Sequence, residues 1–124
     1  MLNARRSKTA CFIGNTEDEC EIYKAVDNAV SQGFEMFLFC AENESGLMFA
    51  KQVILRKKKQ TGNTPDKIIL TAVVSDERHA DNKDEVFRDK YFSVIEKCDS
   101  FVDLKNNEPF SCKKFIISKS SKTI

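Results

Sequence analysis

At 124 residues the chain is long enough to build one hydrophobic core and too short for two ordinary domains. Hydrophobic residues make up 41% and charged residues 31%, a globular composition that excludes an intrinsically disordered chain. With 20 Lys plus Arg against 19 Asp plus Glu the net charge is +1, which excludes a global field that would gather nucleic acid or an anionic membrane, so any partner must be recognised locally.

Residues 1–8 are polar and basic without the apolar core of a signal sequence, and no later run approaches about 18 apolar residues, so a cytoplasmic protein without a membrane anchor is expected. A first strand, Thr9 to Ile13, runs into Gly14-Asn15-Thr16 and then into a helix over Glu17 to Gln32, whose apolar face is Ile22, Tyr23, Val26, Ala29 and Val30. Thr16-x-x-Glu19 reads as its capping box and Gly33 as the residue that stops it. Glu35 to Cys40 is short and apolar, as a buried strand should be. A second helix is expected over Ser45 to Gln60, with Leu47, Ala50, Val53 and Ile54 inward; the cations Arg56 to Lys59 at its C-terminal end complement the helix dipole.

Thr61 to Pro65 breaks the chain, and Lys67 to Val74 reads as a third strand. After a polar loop over Ser75 to Asp84, Asn82-x-x-Glu85 opens a third helix with Phe87, Tyr91, Val94, Ile95 and Cys98 on one face, and Ser100 to Leu104 is a fourth strand. Phe115-Ile116-Ile117 fits either helix or strand by periodicity; a helix followed by a polar tail is preferred. Helices between successive strands imply right-handed crossovers: an α/β three-layer sandwich, Rossmann-like, with a parallel four-stranded sheet, the first strand central and helices on both faces. The organisation is an N-terminal segment over 1–8, a single domain over 9–120 and a tail over 121–124.

Strand-Gly14-Asn15, Gly33-Phe34 before a strand, Glu96-Lys97-Cys98-Asp99 before the fourth strand, and Lys114 to Ser120 together resemble the SLOG superfamily of Rossmann-like proteins, nearest the bacterial YpsA-like group. The correspondence runs from about Thr9 to Ser120. The glycine of the first turn is kept as Gly14, while the second family turn, rich in glycine, aligns with Cys40, Glu44 and Gly46 and has lost two glycines and an aspartate. The family strand that follows the last segment has no counterpart before Ile124. The resemblance implies a pocket for a nucleotide or nucleotide derivative. It also implies phosphoribohydrolase chemistry in one branch, whose Pro-Gly-Gly-x-Gly-Thr-x-x-Glu motif is missing here.

In an open α/β sheet the ligand seat lies at the carboxyl ends of the strands, and together with that position the resemblance implies Gly14, Asn15, Thr16, Cys40, Glu42, Glu44, Ser45 and Gly46 as the candidate ligand-binding residues. Glu17, Asp18 and Glu19 already answer the positive end of the first helix, so an acidic rim suits a neutral or cationic group better than a phosphate. Glu42 or Glu44 could serve as general acid or base in an N-glycosidic hydrolase of nucleotides; His79, the only histidine, sits in a polar loop without a nucleophile at triad spacing. No residue is assigned a catalytic role, and no cofactor or metal is expected: the five cysteines, at 11, 20, 40, 98 and 112, form no C-x-x-C pair and read as buried thiols. Phe34, Phe49, Phe92 and Phe110 fall off the core stripes. The leading expectation is a small module binding a nucleotide-derived molecule, with homodimerisation across a sheet edge left bare by the missing strand. The alternatives are a ligand-free interaction module and the hydrolase; neither nucleic acid nor membrane is expected as a partner.

Overall fold

The structure, a computed structural model, describes residues 8–14, 18–59, 68–76, 81, 83–105 and 112–124. Strands β1 (Thr9–Phe12), β2 (Met36–Cys40), β3 (Ile69–Val74) and β4 (Ser100–Asp103) alternate with helices α1 (Glu19–Ser31), α2 (Glu44–Lys58) and α3 (Glu85–Ile95); α4 (Cys112–Ser118) and β5 (Lys122–Thr123) close the order. All strands are parallel, in the order β4-β3-β2-β1-β5.

The α/β sandwich is as expected, but with five strands instead of four, and β2, not β1, is central. The residues read as a polar tail supply the fifth strand. Ser121 N–H donates to Thr9 O at 2.9 Å and Ile124 N–H to Cys11 O at 2.8 Å, so the outer edge of β1 is paired. Among the described residues no helix is long and apolar enough to cross a membrane.

Right-handed crossovers dictate the layers. The steps β1 to β2 to β3 to β4 all move one way across the sheet and place α1, α2 and α3 on one face, whereas the return from β4 to β5 places α4 on the other. Strand residues divide accordingly: Ala10, Phe12, Phe37, Phe39, Leu70, Ala72 and Val74 pack under the three helices, and Cys11, Leu38 and Val73 under Cys112 and Ile116 of α4.

The helix boundaries correct three capping expectations. The cap of α1 is Asp18, which accepts from Glu21 N–H, not Thr16; that of α3 is Asp84, which accepts from Phe87 N–H at 2.8 Å, not Asn82. Asn43 caps α2 through Gly46 N–H at 2.8 Å and starts it before Ser45. In each case an acidic or amide residue closer to the apolar stripe can reach the free N–H groups. Gly33 does stop α1: it has φ 96°, its N–H reaches Val30 O and that of Phe34 reaches Ala29 O, a Schellman closure.

Phe49, expected off the core, is at its centre. It is fully buried, stacks on Phe12 with centroids 4.8 Å apart, and leans on Phe37 and Phe39. Phe92 does stay exposed and Phe34 is half-buried, while Phe110 lies outside the described residues.

At the amino-terminal edge of the sheet the basic end of α2 is structural. Arg56 Nε meets Asp27 at 2.8 Å, Lys59 lies over the Tyr23 ring, and Lys57 meets Asp99 at 2.8 Å. Asp99 also accepts from Leu70 N–H at 2.8 Å, so one carboxylate joins α2, β3 and the turn into β4. Burial would raise its pKa, but the Lys57 ammonium and the Leu70 N–H outweigh that and hold it below the ordinary 3.8.

Candidate functional site

The carboxyl ends of β1 and β2, the amino end of α2 and the amino end of α4 meet in one cleft. Its cavity measures about 70 Å³, and Gly14, Cys40 and Gly46 of the candidate set line it together with Phe12, Ile13, Asn43 and Lys113. The three candidates are thus brought together. Asn15 and Thr16 lie outside the described residues, as do Glu77, Arg78 and His79 of the loop after β3.

The cavity is small for a local reason. A Cβ built on Gly46 would stand 2.0 Å from Cys40 O. The backbone of α2 therefore leans directly on the last carbonyl of β2, and the freedom from a side chain at Gly46 permits that approach. Gly14 has no unusual φ; a Cβ there would stand 3.2 Å from the Phe12 ring.

Neither of the two glutamates lines the cavity. The Glu42 carboxylate accepts from the Ser75 N–H and joins the loop after β2 to the end of β3. Glu44 approaches Lys90 Nζ at 3.6 Å across the gap between α2 and α3. Ser45 is half-buried in the first turn of α2. Glu44 borders instead a broad outer groove of about 560 Å³ between α2 and α3, in which Met48, Ile54 and Leu55 are flanked by Lys51, Lys58 and Lys97. That groove lies on the helix layer, not at the strand ends.

Lys113 and Cys112 are the residues that sequence reasoning missed. Cys112 is buried, and its Sγ donates to Val73 O at 3.0 Å. Val73 is the register partner of Cys40 on the neighbouring strand, and both thiols belong to the apolar cluster beneath α4. The neighbouring Cys40 thiol raises the pKa of Cys112 most, burial adds to this, and so does the charge of Glu42. The missing signal was topological. A crossover helix of a parallel sheet begins at the carboxyl edge, so reading Lys122 and Thr123 as a strand would have placed 112 and 113 at the cleft.

Among the described residues no three His, Cys, Asp or Glu side chains gather as a metal-ligand set. Neither the protein-family models nor the curated proteins compared with this chain give a match.

Proposed function

We propose that this chain is a Rossmann-like interaction module that pairs with a second copy of itself and whose carboxyl-end cleft takes no whole nucleotide. The observation that carries this reading is the cavity of about 70 Å³. Small-molecule sites usually enclose roughly 300–1,000 Å³. The close approach of Gly46 to Cys40 O and the Glu42 bond to Ser75 N–H consume the space and the polar groups that such a site needs.

For pairing, β4 and β5 are the two edges of the sheet, and β4 is the longer of them, four residues against two. Phe101 of β4 is 39% exposed and Phe92 of α3 53% exposed. Helical spacing puts Phe92 on the flank of α3 that faces away from the α2 groove, which is the flank nearest that edge. Sedimentation equilibrium tests the reading: a dimer is expected, and F92K/F101K is expected to sediment as a folded monomer. A wild-type protein that stays monomeric at high concentration overturns it.

A second reading keeps the SLOG-like nucleotide-derivative site. What favours it is Lys113, a cation in the cleft wall beside Gly14. Thermal unfolding with a panel of nucleotides and ADP-ribose derivatives separates the two, because a ligand at 100 times its Kd adds about 2.7 kcal/mol to the folded state. A stabilising hit that K113M abolishes supports the site; a flat panel removes it.

A further inference from the structure

The cleft also holds two thiols whose redox chemistry neither pairing nor nucleotide binding calls on. Cys40 is the last residue of β2, half-buried, and part of the cavity wall with Lys113 and the first turn of α2. Cys112, the first residue of α4, reaches down onto Val73 O. The same carbonyl accepts the N–H of Ala41, the residue after Cys40, at 3.0 Å. The Cys112 thiol and the backbone next to Cys40 therefore meet at one carbonyl, and the two thiols, 72 positions apart in sequence, belong to the same cluster on the α4 face of the sheet. One of them faces a cavity and the other is buried behind it.

We propose that Cys40 and Cys112 form a peroxide-responsive dithiol, Cys40 being the attacking thiol and Cys112 the resolving one. The Cys40 thiolate attacks one oxygen of hydrogen peroxide. The O–O bond breaks, hydroxide leaves and is protonated to water, and the sulfur is oxidised to a sulfenic acid. The Cys112 sulfur then attacks the Cys40 sulfur, and the S–O bond breaks. The thiol proton leaves with the hydroxyl as a second water, and a disulfide remains. Overall, two thiols lose two hydrogens and one peroxide becomes two waters.

Size selects the oxidant. A water occupies about 30 Å³ in the liquid, so the cavity of about 70 Å³ suits a molecule the size of hydrogen peroxide and excludes glutathione disulfide. The division of labour follows from position. Cys40 lines the cavity together with Lys113, a cation that attracts the hydroxide leaving there, whereas Cys112, whose thiol pKa is raised by Cys40, by burial and by the Glu42 charge, is buried on Val73 O and does not line the cavity. Cys98, pushed up to about 12 by burial and then by the Asp99 charge, is an internal control that should stay reduced.

The test is stoichiometric hydrogen peroxide on the whole protein, followed by thiol alkylation under denaturing conditions, intact mass and peptide mapping. The expected result is a loss of two hydrogens, two fewer alkylated thiols, a single 40–112 cross-linked peptide, and full reversal by dithiothreitol. Glutathione disulfide at the same concentration should act far more slowly. C112S should accumulate a dimedone-reactive sulfenic acid at residue 40, and K113M should slow the reaction without changing its product. Peptide mapping of the wild-type protein needs no variant to fold. The inference is overturned by oxidation confined to the exposed Cys20, by a cross-link between any other pair, or by six-electron oxidation of Cys40 without a disulfide.

Discussion

Gly46 decides the character of the cleft. If it were a ligand cradle, an alanine there would abolish binding and leave the fold intact. With Cys40 O only 2.0 Å from the new methyl group, G46A must instead push α2 away from β2. Overpacking of this kind costs about 1–3 kcal/mol or more, so urea unfolding of G46A should show a lowered midpoint; an unchanged midpoint would mean that α2 does not rest on the Cys40 carbonyl. Cys40 and Gly46 could be named from the sequence as cleft residues, because both flank a strand-to-helix junction. That their backbones touch could not be read, since the distance between a strand end and a helix three residues past its cap depends on tertiary packing. The same holds for Glu42, whose bond to Ser75 N–H joins positions 33 residues apart.

Among the elements, α2 is the one on which sequence and structure diverge most. Its stripe was legible at Leu47, Ala50 and Val53, yet Gly46, Phe49 and Gln52 are also buried. A helix flanked by α1 and α3 as well as the sheet buries a wider arc than a single-stripe pattern marks. Phe49→Ala should therefore cost about 3–5 kcal/mol, as deletion of a central ring does, with Tm falling well below that of an alanine at exposed Phe92.

At the other end of α2, Asp99 gives a pH signature. Its folded pKa lies below the unfolded value, so its contribution is complete above 3.8 and is lost as pH falls through the lowered folded value. The carboxylate is partly exposed and its pair with Lys57 is screened, so Asp99→Ala should cost about 1 kcal/mol near neutrality. The deficit should shrink toward zero as the wild-type carboxylate is protonated. A deficit that stays constant into acid would place the effect in packing rather than charge. The three acidic or amide caps were ambiguous for a related reason: Thr16 and Asp18, or Asn82 and Asp84, offer equivalent oxygens two residues apart, and the choice falls to the residue nearer the packed stripe.

The whole molecule is lopsided: three helices cover one face of the sheet, and among the described residues one seven-residue helix covers the other. The parallel order was legible in the alternation of strands and helices, and the lopsidedness follows from the handedness rule once the position of β5 is known. With only two residues and no hydrophobic run, β5 left no pattern to read. Its place depends on α4, which is seated by Ile116, fully buried against Cys11, Leu38 and Val73. A small cluster held by so few side chains should open before the three-helix side does. Ile116→Ala removes its main anchor at a cost of about 2–5 kcal/mol, and that loss should fall unevenly. In native-state hydrogen exchange the amides of Ser121 and Ile124, which bond to Thr9 O and Cys11 O, should lose protection first. The amide of Ile69, bonded to Glu35 O across β2 and β3, should keep most of its own. Equal losses at both places would show that the two faces unfold together and that α4 with β5 is not a separate unit.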